Sequence, residues 1–253
     1  MILDLFSLKG KTAAVTGANT GLGQGIALAL AEAGARTALV GRSPMDETLE
    51  KIKAAGGEAF PVKADLADVS VCQGIVDQTV AKYGGLDILV NNAGIIRRAD
   101  SIEFTEKDWD DVLNVNLKSL FFLSQAAAKL FLKQGRGGKI INIASLLSYQ
   151  GGIRVPSYTS SKSGVIGLTR LLANEWARHG ICVNGIAPGY MVTNNTEALR
   201  RDPVRHQAIL ERIPAGRWGL PSDLGGTAVF LASPASDYLH GFTIAVDGGW
   251  LGR

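Results

Sequence analysis

The sequence predicts an α/β fold in which a Rossmann-like, doubly wound parallel sheet is covered by helices on both faces. Short apolar runs alternate with longer segments of helical period, and the connections between them are short. A glycine-rich turn joins the first apolar run to the first helical segment. Because the chain has 253 residues and no stretch typical of a linker, we expect a single domain spanning 1–253.

Each element is expected from its own pattern, taken along the chain. Seven apolar runs predict strands at about 12–17, 36–41, 58–66, 86–94, 138–145, 181–189 and 241–249. Segments of helical period predict helices at about 23–34, 47–57, 69–83, 106–133, 157–179 and 223–233. The stretch from Pro188 to Pro221 is polar and rich in proline, without a strong strand pattern. A substrate-loop insertion is therefore expected near 188–221.

Composition excludes several classes of protein. The net charge is +3 and the cations are scattered, which argues against a nucleic-acid partner. No run reaches the ~18 apolar residues of a membrane helix, and the short apolar run MILDLFSL lacks the basic region and the small-residue cleavage site of a signal peptide. Cys72 and Cys182 match neither a metal-binding nor a C-x-x-C spacing. We therefore expect a cytoplasmic protein without a metal or a membrane partner.

The turn after the first predicted strand reads VTGANTGLGQG and places glycines at Gly17, Gly21 and Gly23. Glycine permits positive φ and a close approach of the backbone, and the helix that follows presents free N–H groups to a pyrophosphate. The pattern indicates a dinucleotide site. A tight strand-to-helix turn also needs glycine for steric reasons alone, so this second explanation stays open at this point.

The second predicted strand ends in Gly41, Arg42 and Ser43, where an NAD-binding chain of this fold usually has an acidic residue. An acid would repel a 2'-phosphate, whereas an arginine and a hydroxyl attract one. This segment favours NADP(H) as the cofactor. NAD(H) stays an alternative, since an arginine can also stack on adenine.

Proton-transfer residues are expected in the segment SYTSSKSG, where Tyr158 and Lys162 are four residues apart and lie on one side of a helix. A free phenol has a pKa near 10, and a neighbouring ammonium lowers it towards the working range. Ser145 ends the preceding strand and can reach the same place. A Y-x-x-x-K pair alone occurs by chance in many helices, but the serine and the upstream nucleotide turn make the combination specific.

Taken together, these motifs resemble the short-chain dehydrogenase/reductase family over essentially the whole chain. The resemblance implies a catalytic set of Asn116, Ser145, Tyr158 and Lys162, which interconverts an alcohol and a ketone with a nicotinamide cofactor. Asn116 would hold a water that links the lysine to solvent, although it could equally cap or kink a helix. The other cofactor contacts that the family implies are Asn19, Leu22, Asp65, Leu66, Asn92, Ala93, Gly94, Pro188, Gly189, Met191 and Thr193, together with Tyr158 and Lys162 themselves. A homotetramer is common in the family and is expected here.

Within the family, the stretches NNAGIIRR, SYQGGIRVPSYTSSKSG, PGYMVTNNT and RIPAGRWGLPSDL resemble bacterial enzymes that act on deoxy-keto sugar acids of the 2-dehydro-3-deoxy-D-gluconate type. This implies a small anionic substrate with several hydroxyls. The candidate substrate residues are Arg97, Gln150, Arg154, Asn194, Asn195 and Trp218. Structural roles are the alternative for several of them: a surface ion pair for Arg154, helix capping for both asparagines, and core packing for Trp218.

Arg97 and Arg98 are adjacent, so their side chains are expected to point in different directions, with Arg97 towards the substrate carboxylate.

Two competing functions stay open. A reductase of 3-oxoacyl carriers would need an apolar channel and a basic docking patch. A non-catalytic nucleotide-binding protein would not need the intact set of catalytic side chains.

Overall fold

In the computed structural model, which describes residues 1–253, seven strands form one sheet. They are β1 (Thr12–Thr16), β2 (Arg36–Gly41), β3 (Ala59–Lys63), β4 (Ile88–Asn91), β5 (Gly138–Ile143), β6 (Ile181–Pro188) and β7 (Thr243–Val246). All neighbours are parallel, in the order β3-β2-β1-β4-β5-β6-β7. The order reverses beside β1, so a crevice opens between the carboxyl ends of β1 and β4. The predicted fold class is confirmed.

Nine α-helices connect or cap the strands. They are α1 (Gly21–Glu32), α2 (Asp46–Ala54), α3 (Val71–Tyr83), α4 (Glu106–Leu113), α5 (Ser119–Gln134), α6 (Pro156–Trp176), α7 (Glu197–Arg201), α8 (Pro203–Arg212) and α9 (Gly225–Ala232). The continuous helix expected over 106–133 is divided by a π-helical segment, Asn114–Lys118. Such a segment adds a residue to the turn and is frequent at functional sites.

Two apolar layers hold the helices against the sheet. In β1, Ala13 and Val15 face the layer that contains Ile26 of α1, whereas Ala14 faces the layer that contains Leu123 of α5. This alternation is what a strand buried on both faces requires. Because both faces are covered, the open surface of the sheet is at its ends, and the carboxyl end carries the functional loops.

The insertion at 188–221 is helical in its middle, because α7 and α8 lie within it. A small cluster of buried residues fastens it to the body of the protein: Leu146, Ile209, Ile213, Trp218 and Trp250. The ring of Trp218 stacks on His206 at 5.7 Å and meets the edge of Tyr190 at 5.7 Å. The expectation that Trp218 stacks on a substrate ring is wrong, since its own core neighbours cover it.

Both cysteines, Cys72 and Cys182, are free and buried. Burial raises the pKa of the Cys72 thiol to about 11 and also raises that of Cys182, so both thiols stay protonated at neutral pH. No group of three or more His, Cys, Asp or Glu side chains could hold a metal ion. None of the helices combines the length and apolar character that crossing a membrane requires.

Candidate active site

Three predicted catalytic side chains meet at the carboxyl end of β5. Helix α6 begins at Pro156, a residue suited to the first helical position, and this places Tyr158 and Lys162 in its first two turns. Ser145 follows β5, and its Oγ accepts a hydrogen bond from the Leu147 N–H at 3.2 Å. All three side chains line one crevice.

Lys162 is buried at the floor of this crevice. Its Nζ donates to the carbonyl oxygen of Ile143 at 2.6 Å, and it lies 5.8 Å from the centre of the Tyr158 ring. Burial disfavours the ammonium and lowers the pKa of Lys162 to about 8. The lysine is therefore held in one position, with a pKa near the physiological range.

The phenol of Tyr158 is subject to opposing influences. Burial raises its pKa, whereas a hydrogen bond to Ser145 and the positive charge of Arg98 lower it. The sequence predicts that Lys162 does the lowering. In the structure the lowering comes from Ser145 and Arg98, and the influence of Lys162 on the phenol stays a prediction.

Asn116 lies in the π-helical segment and is almost fully buried. Its Oδ1 accepts from the Ile95 N–H at 2.8 Å, and its Nδ2 donates to the Ile95 carbonyl at 3.0 Å and to Ser161 Oγ at 3.2 Å. A Cβ on Gly94 would lie 3.3 Å from Asn116 Oδ1 and 3.8 Å from Lys162 Nζ. Asn116 thus joins the loop after β4 to α6 beside the lysine, and its role in proton transfer stays a prediction.

The glycine turn is built by close backbone packing. Gly17 and Gly21 have φ values of 64° and 57°, in the left-handed region that favours glycine. A Cβ on Gly23 would lie 2.1 Å from the carbonyl oxygen of Gly17. Gly23 therefore lies beneath the turn and permits its shape, and it does not line the crevice.

Gly23→Ala tests this packing. We expect the free energy of unfolding to fall by about 1–3 kcal/mol, because the added methyl group forces the Gly17 carbonyl to move. Gly74→Ala in α3 is the matched control: its Cβ meets nothing within 4 Å, and alanine should stabilise the helix by about 0.5–1 kcal/mol. Denaturant unfolding of both variants measures the difference. A Gly23→Ala variant with the same free energy of unfolding as wild type would contradict the close packing of Gly23 against the Gly17 carbonyl.

A second set of hydrogen bonds fastens the segment after β4 to this turn. Thr16 Oγ1 accepts from the N–H groups of Asn92 and Ala93, both at 2.9 Å. The amide of Asn92 donates to the carbonyls of Thr16 at 2.8 Å and Gly17 at 3.3 Å. The loop after β1 and the loop after β4, which border the crevice where the strand order reverses, are therefore joined into one unit.

The crevice has the shape and the donors that a dinucleotide needs. Two adjoining cavities share Gly17, Asn19, Ala93 and Gly94. Thr20 precedes α1 and makes no side-chain capping bond, so the first N–H groups of the helix stay available to a pyrophosphate. Nearly all the predicted cofactor residues line these cavities: Gly17, Asn19, Gly21, Leu22, Arg42, Ser43, Asp65, Leu66, Asn92, Ala93, Gly94, Tyr158, Lys162, Pro188, Gly189, Met191 and Thr193.

At the far end of the crevice, Gly41 lies where an acidic side chain would repel a 2'-phosphate. A Cβ there would lie 2.5 Å from Cε of the buried Met45. Arg42 is largely exposed, and its Nη1 lies 4.0 Å from the Asp65 carboxylate. Asp65 also accepts a hydrogen bond from the Ala67 N–H at 3.0 Å, which fixes the turn after β3. An exposed guanidinium beside Ser43 is thus available to a phosphate.

Next to the catalytic residues lies a second pocket, which also contains Ser145 and Tyr158. Its polar wall residues include Gln150 and Asn195, as expected, and Asn194 lines the adjoining cofactor side. Two arginines face the pocket and no carboxylate does. The lining residues are Ile96, Arg98, Ser145, Leu146, Leu147, Gln150, Gly152, Ile153, Val155, Tyr158, Pro188, Gly189, Tyr190, Asn195, Thr196, Leu199 and Arg205.

The expectation that Arg97 faces the substrate carboxylate is wrong, and Arg98 lines the substrate pocket in its place. Arg97 pairs with Asp108 at 3.3 Å and Asp111 at 3.5 Å, two carboxylates on one side of α4, and it lines the far end of the cofactor crevice. Arg98 points the other way, into the substrate pocket, and donates to the Asn195 carbonyl at 3.0 Å. The carboxylates of α4 thus decide which arginine turns away.

Arg154 also lies outside the pocket, although its neighbours line it. It pairs with Asp100 at 3.0 Å and is largely exposed. It is the one non-glycine residue with positive φ, at 63°, and its carbonyl accepts from the Ala99 N–H at 3.2 Å. Arg154 therefore joins two loops at the mouth of the pocket and does not meet a substrate inside it.

Sequence reasoning missed several residues of this pocket, and the charged one from a distant segment is Arg205 of α8. It is separated by many residues from the catalytic motifs, and it belongs to a segment whose helices were not expected. Asp202 lies three residues before Arg205 and would suggest a surface ion pair, but it caps the helix instead, so no sequence pattern marked Arg205 as a pocket residue.

Comparisons with known proteins agree with this geometry. The chain matches, over residues 17–251, the family described as "Enoyl-(Acyl carrier protein) reductase". It is 64% identical to the 2-dehydro-3-deoxy-D-gluconate 5-dehydrogenase of Dickeya dadantii, over 100% of both chains. A candidate 2-deoxy-D-gluconate 3-dehydrogenase from Agrobacterium tumefaciens, solved with bound NADP, is 61% identical, with a TM-score of 0.94 over 99% of this chain and 100% of that one.

A gluconate 5-dehydrogenase from Burkholderia cenocepacia, solved in complex with NADP and tartrate, is 39% identical, with a TM-score of 0.94 over 100% of both chains. Each likeness covers essentially the full length, including the glycine turn and the catalytic helix. The chain therefore belongs to the short-chain dehydrogenase/reductase family.

Proposed function

We propose that this protein is an NADP-dependent oxidoreductase that interconverts a secondary alcohol and a ketone on a deoxy-keto sugar acid of the 2-dehydro-3-deoxy-D-gluconate type. One observation carries the proposal: Ser145 and Tyr158 lie where the cofactor crevice meets a pocket with two arginines and no carboxylate. An anionic substrate with hydroxyl groups fits such a pocket. The names of the similar enzymes support the same substrate class.

The side chains have distinct tasks in this reaction. When bound, the cofactor supplies or accepts the hydride. Ser145 and Tyr158 hold the reacting oxygen by hydrogen bonds, and Tyr158 gives or takes its proton. Lys162 carries a positive charge beside them and stabilises the phenolate form of Tyr158. Asn116 keeps Lys162 and the loop after β4 in register.

The cofactor preference rests on the far end of the crevice. Arg42 and Ser43 offer a cation and a hydroxyl to a 2'-phosphate, and Gly41 stands in place of the acid that would favour NAD(H). NADP is bound in the two solved relatives described above. NADP(H) is therefore the proposed cofactor, with NAD(H) as the weaker one.

Arg42→Ala is expected to lower the ratio of kcat/KM for NADP+ over NAD+ by about 10- to 100-fold, the value of one charge-assisted contact to a phosphate. Lys63→Ala removes an exposed cation from the neighbouring strand β3 and is the matched control. Initial rates with both cofactors measure the ratio. An NAD+ preference in the wild type that Arg42→Ala leaves unchanged would contradict the assignment.

A reductase of 3-oxoacyl carriers is the second candidate. Apolar residues such as Leu146, Leu147 and Ile153 form part of the pocket wall, and the matching family is described by an acyl-carrier reaction. The two arginines oppose this reading, because a neutral acyl chain offers no anionic group to either cation. Purified protein with NADP+ and NADPH, offered deoxy-keto sugar acids and 3-oxoacyl thioesters, decides between them. Turnover of thioesters alone would overturn our proposal.

We also infer that the enzyme is a homotetramer in the cytoplasm. Exposed apolar side chains such as Phe122 and Leu132 of α5 support contact between copies of the chain. The separated cysteines fit a reducing compartment. Light scattering of the purified protein measures the assembly, and a monomer at micromolar concentration would contradict it.

A further inference from the structure

Helix α8 carries an arginine that the reaction as proposed does not use. Asp202 caps the helix, and its Oδ1 accepts from the N–H groups of Val204 at 3.0 Å and Arg205 at 3.1 Å. This cap fixes the first turn of α8 and the direction in which Arg205 leaves it. The side chain of Arg205 lines the substrate pocket.

The guanidinium of Arg205 has no protein partner, unlike its neighbours in the insertion. Arg201 pairs with Glu197, and Arg217 pairs with Asp223 at 2.7 Å. Arg212 donates to Gln150 Oε1 at 3.3 Å and lies 4.2 Å over the ring of Trp250. Arg205 is therefore the cation of this segment that is free to bind a ligand in the pocket.

Arg205 and Arg98 act on different parts of the pocket. The charge of Arg98 lowers the pKa of the catalytic Tyr158, whereas the charges of Arg205 and Arg212 lower that of Tyr190, which burial otherwise raises. Arg98 is also held by the Asn195 carbonyl at 3.0 Å. His206, the residue after Arg205, stacks on Trp218, which in turn meets the edge of Tyr190. The pocket thus has one cation held at the Asn195 carbonyl and a second one at the Tyr190 end.

We propose that Arg205 binds the carboxylate of the substrate at the end of the pocket remote from the reacting carbon. The residue would thereby select sugar acids in which the oxidised carbon is distant from the carboxylate over acids oxidised next to it. Because Arg205 belongs to the insertion, the same contact would hold α8 over the bound substrate. The inference rests on the proposed function and adds a specificity residue to it.

The test compares an acid with its neutral analogue. Wild type, Arg205→Ala, Arg205→Lys and the control Arg201→Ala are assayed with NADP+ and either 2-dehydro-3-deoxy-D-gluconate or its methyl ester. For Arg205→Ala we expect KM for the acid to rise about 10- to 100-fold with kcat within about threefold of wild type. The kcat/KM for the ester and the KM for NADP+ should stay unchanged. Arg205→Lys should recover part of the loss, and Arg201→Ala should match wild type.

The outcomes separate this inference from the proposed function. An acid-to-ester ratio of kcat/KM that stays at the wild-type value in Arg205→Ala overturns the inference alone. Equal loss for acid and ester also overturns it, because a loss of structure would affect both substrates. A wild-type enzyme that turns over neither compound overturns the proposed function and the inference with it.

Discussion

Tyr158→Phe is expected to lower kcat by about 10³-fold, within the range that general acid–base catalysis contributes. The substitution removes the hydroxyl that exchanges the proton and keeps the ring that fills the same space. The reacting oxygen also loses one of its two donors, because only the Ser145 hydroxyl is left to hold it. Affinity for NADP+ should change little, because the glycine turn and Arg42 are untouched. Steady-state rates and cofactor titration by fluorescence measure the two effects separately.

Tyr149→Phe is the matched control. This tyrosine precedes α6 by a few residues, is partly exposed, and donates to the Thr243 carbonyl at 3.4 Å, outside the pocket that contains Tyr158. We expect its kcat to stay within about twofold of wild type, as for most surface changes. A Tyr158→Phe enzyme that keeps more than a tenth of wild-type kcat would contradict the assignment of the proton-transfer residue.

Lys162→Met is expected to lower kcat by about 10²-fold or more, since it removes a buried positive charge next to the developing phenolate. Methionine has a similar length and no charge, so the floor of the crevice stays filled. The carbonyl of Ile143 loses its 2.6 Å donor. Rate measurements across pH should show that the oxidation rate of the variant requires a higher pH, because Tyr158 then ionises without the ammonium.

Lys162 also makes the free energy of unfolding of the wild type depend on pH, and Lys162→Met should remove this dependence. Burial lowers the pKa of Lys162 from 10.5 to about 8, so below pH 8 the folded protein carries a buried charge that the unfolded chain exposes to water. As pH rises from 8 towards 10.5, the unfolded chain binds more protons at this position. The wild-type free energy of unfolding therefore gains up to about 1.4 kcal/mol per pH unit from this lysine.

Lys162→Met lacks this gain. The free energy of unfolding of the variant minus that of wild type should therefore be larger at about pH 7.5 than at about pH 9.5. Lys63→Met changes an exposed lysine and should show no such trend. Denaturant unfolding at both pH values measures the relative stability, and a difference that is independent of pH would contradict the lowered pKa.

The sheet could be predicted from sequence because parallel strands buried on both faces read as continuous apolar runs. β5 and β6, whose residues lie in both apolar layers, are examples. The π-helical segment around Asn116 was not predicted, because the shift of one residue that it causes in the apolar pattern is a weak signal within a long helical segment. The helices α7 and α8 were missed since prolines and charges hid their short amphipathic patterns.

The catalytic set was predictable because its geometry is local. Tyr158 and Lys162 are one helical turn apart, and Ser145 ends the strand that precedes their helix. The substrate side depends on contacts that are distant in sequence. Arg97 turns away because α4 supplies Asp108 and Asp111, and Arg154 turns away because Asp100 faces it. Because Arg97 and Arg98 are adjacent, the sequence could predict that their side chains point in different directions, but it could not predict which one enters the pocket.

The most direct test of the account follows the hydride itself. NADPH in which both hydrogens at C4 of the nicotinamide are deuterium is used to reduce the keto product of the sugar acid, and the alcohol is examined by mass spectrometry and NMR. We expect one deuterium, on the carbinol carbon whose oxygen Ser145 and Tyr158 hold. Label on a carbon of a reduced C=C bond, or no label in the sugar acid, would contradict the assignment of this site to alcohol–ketone chemistry.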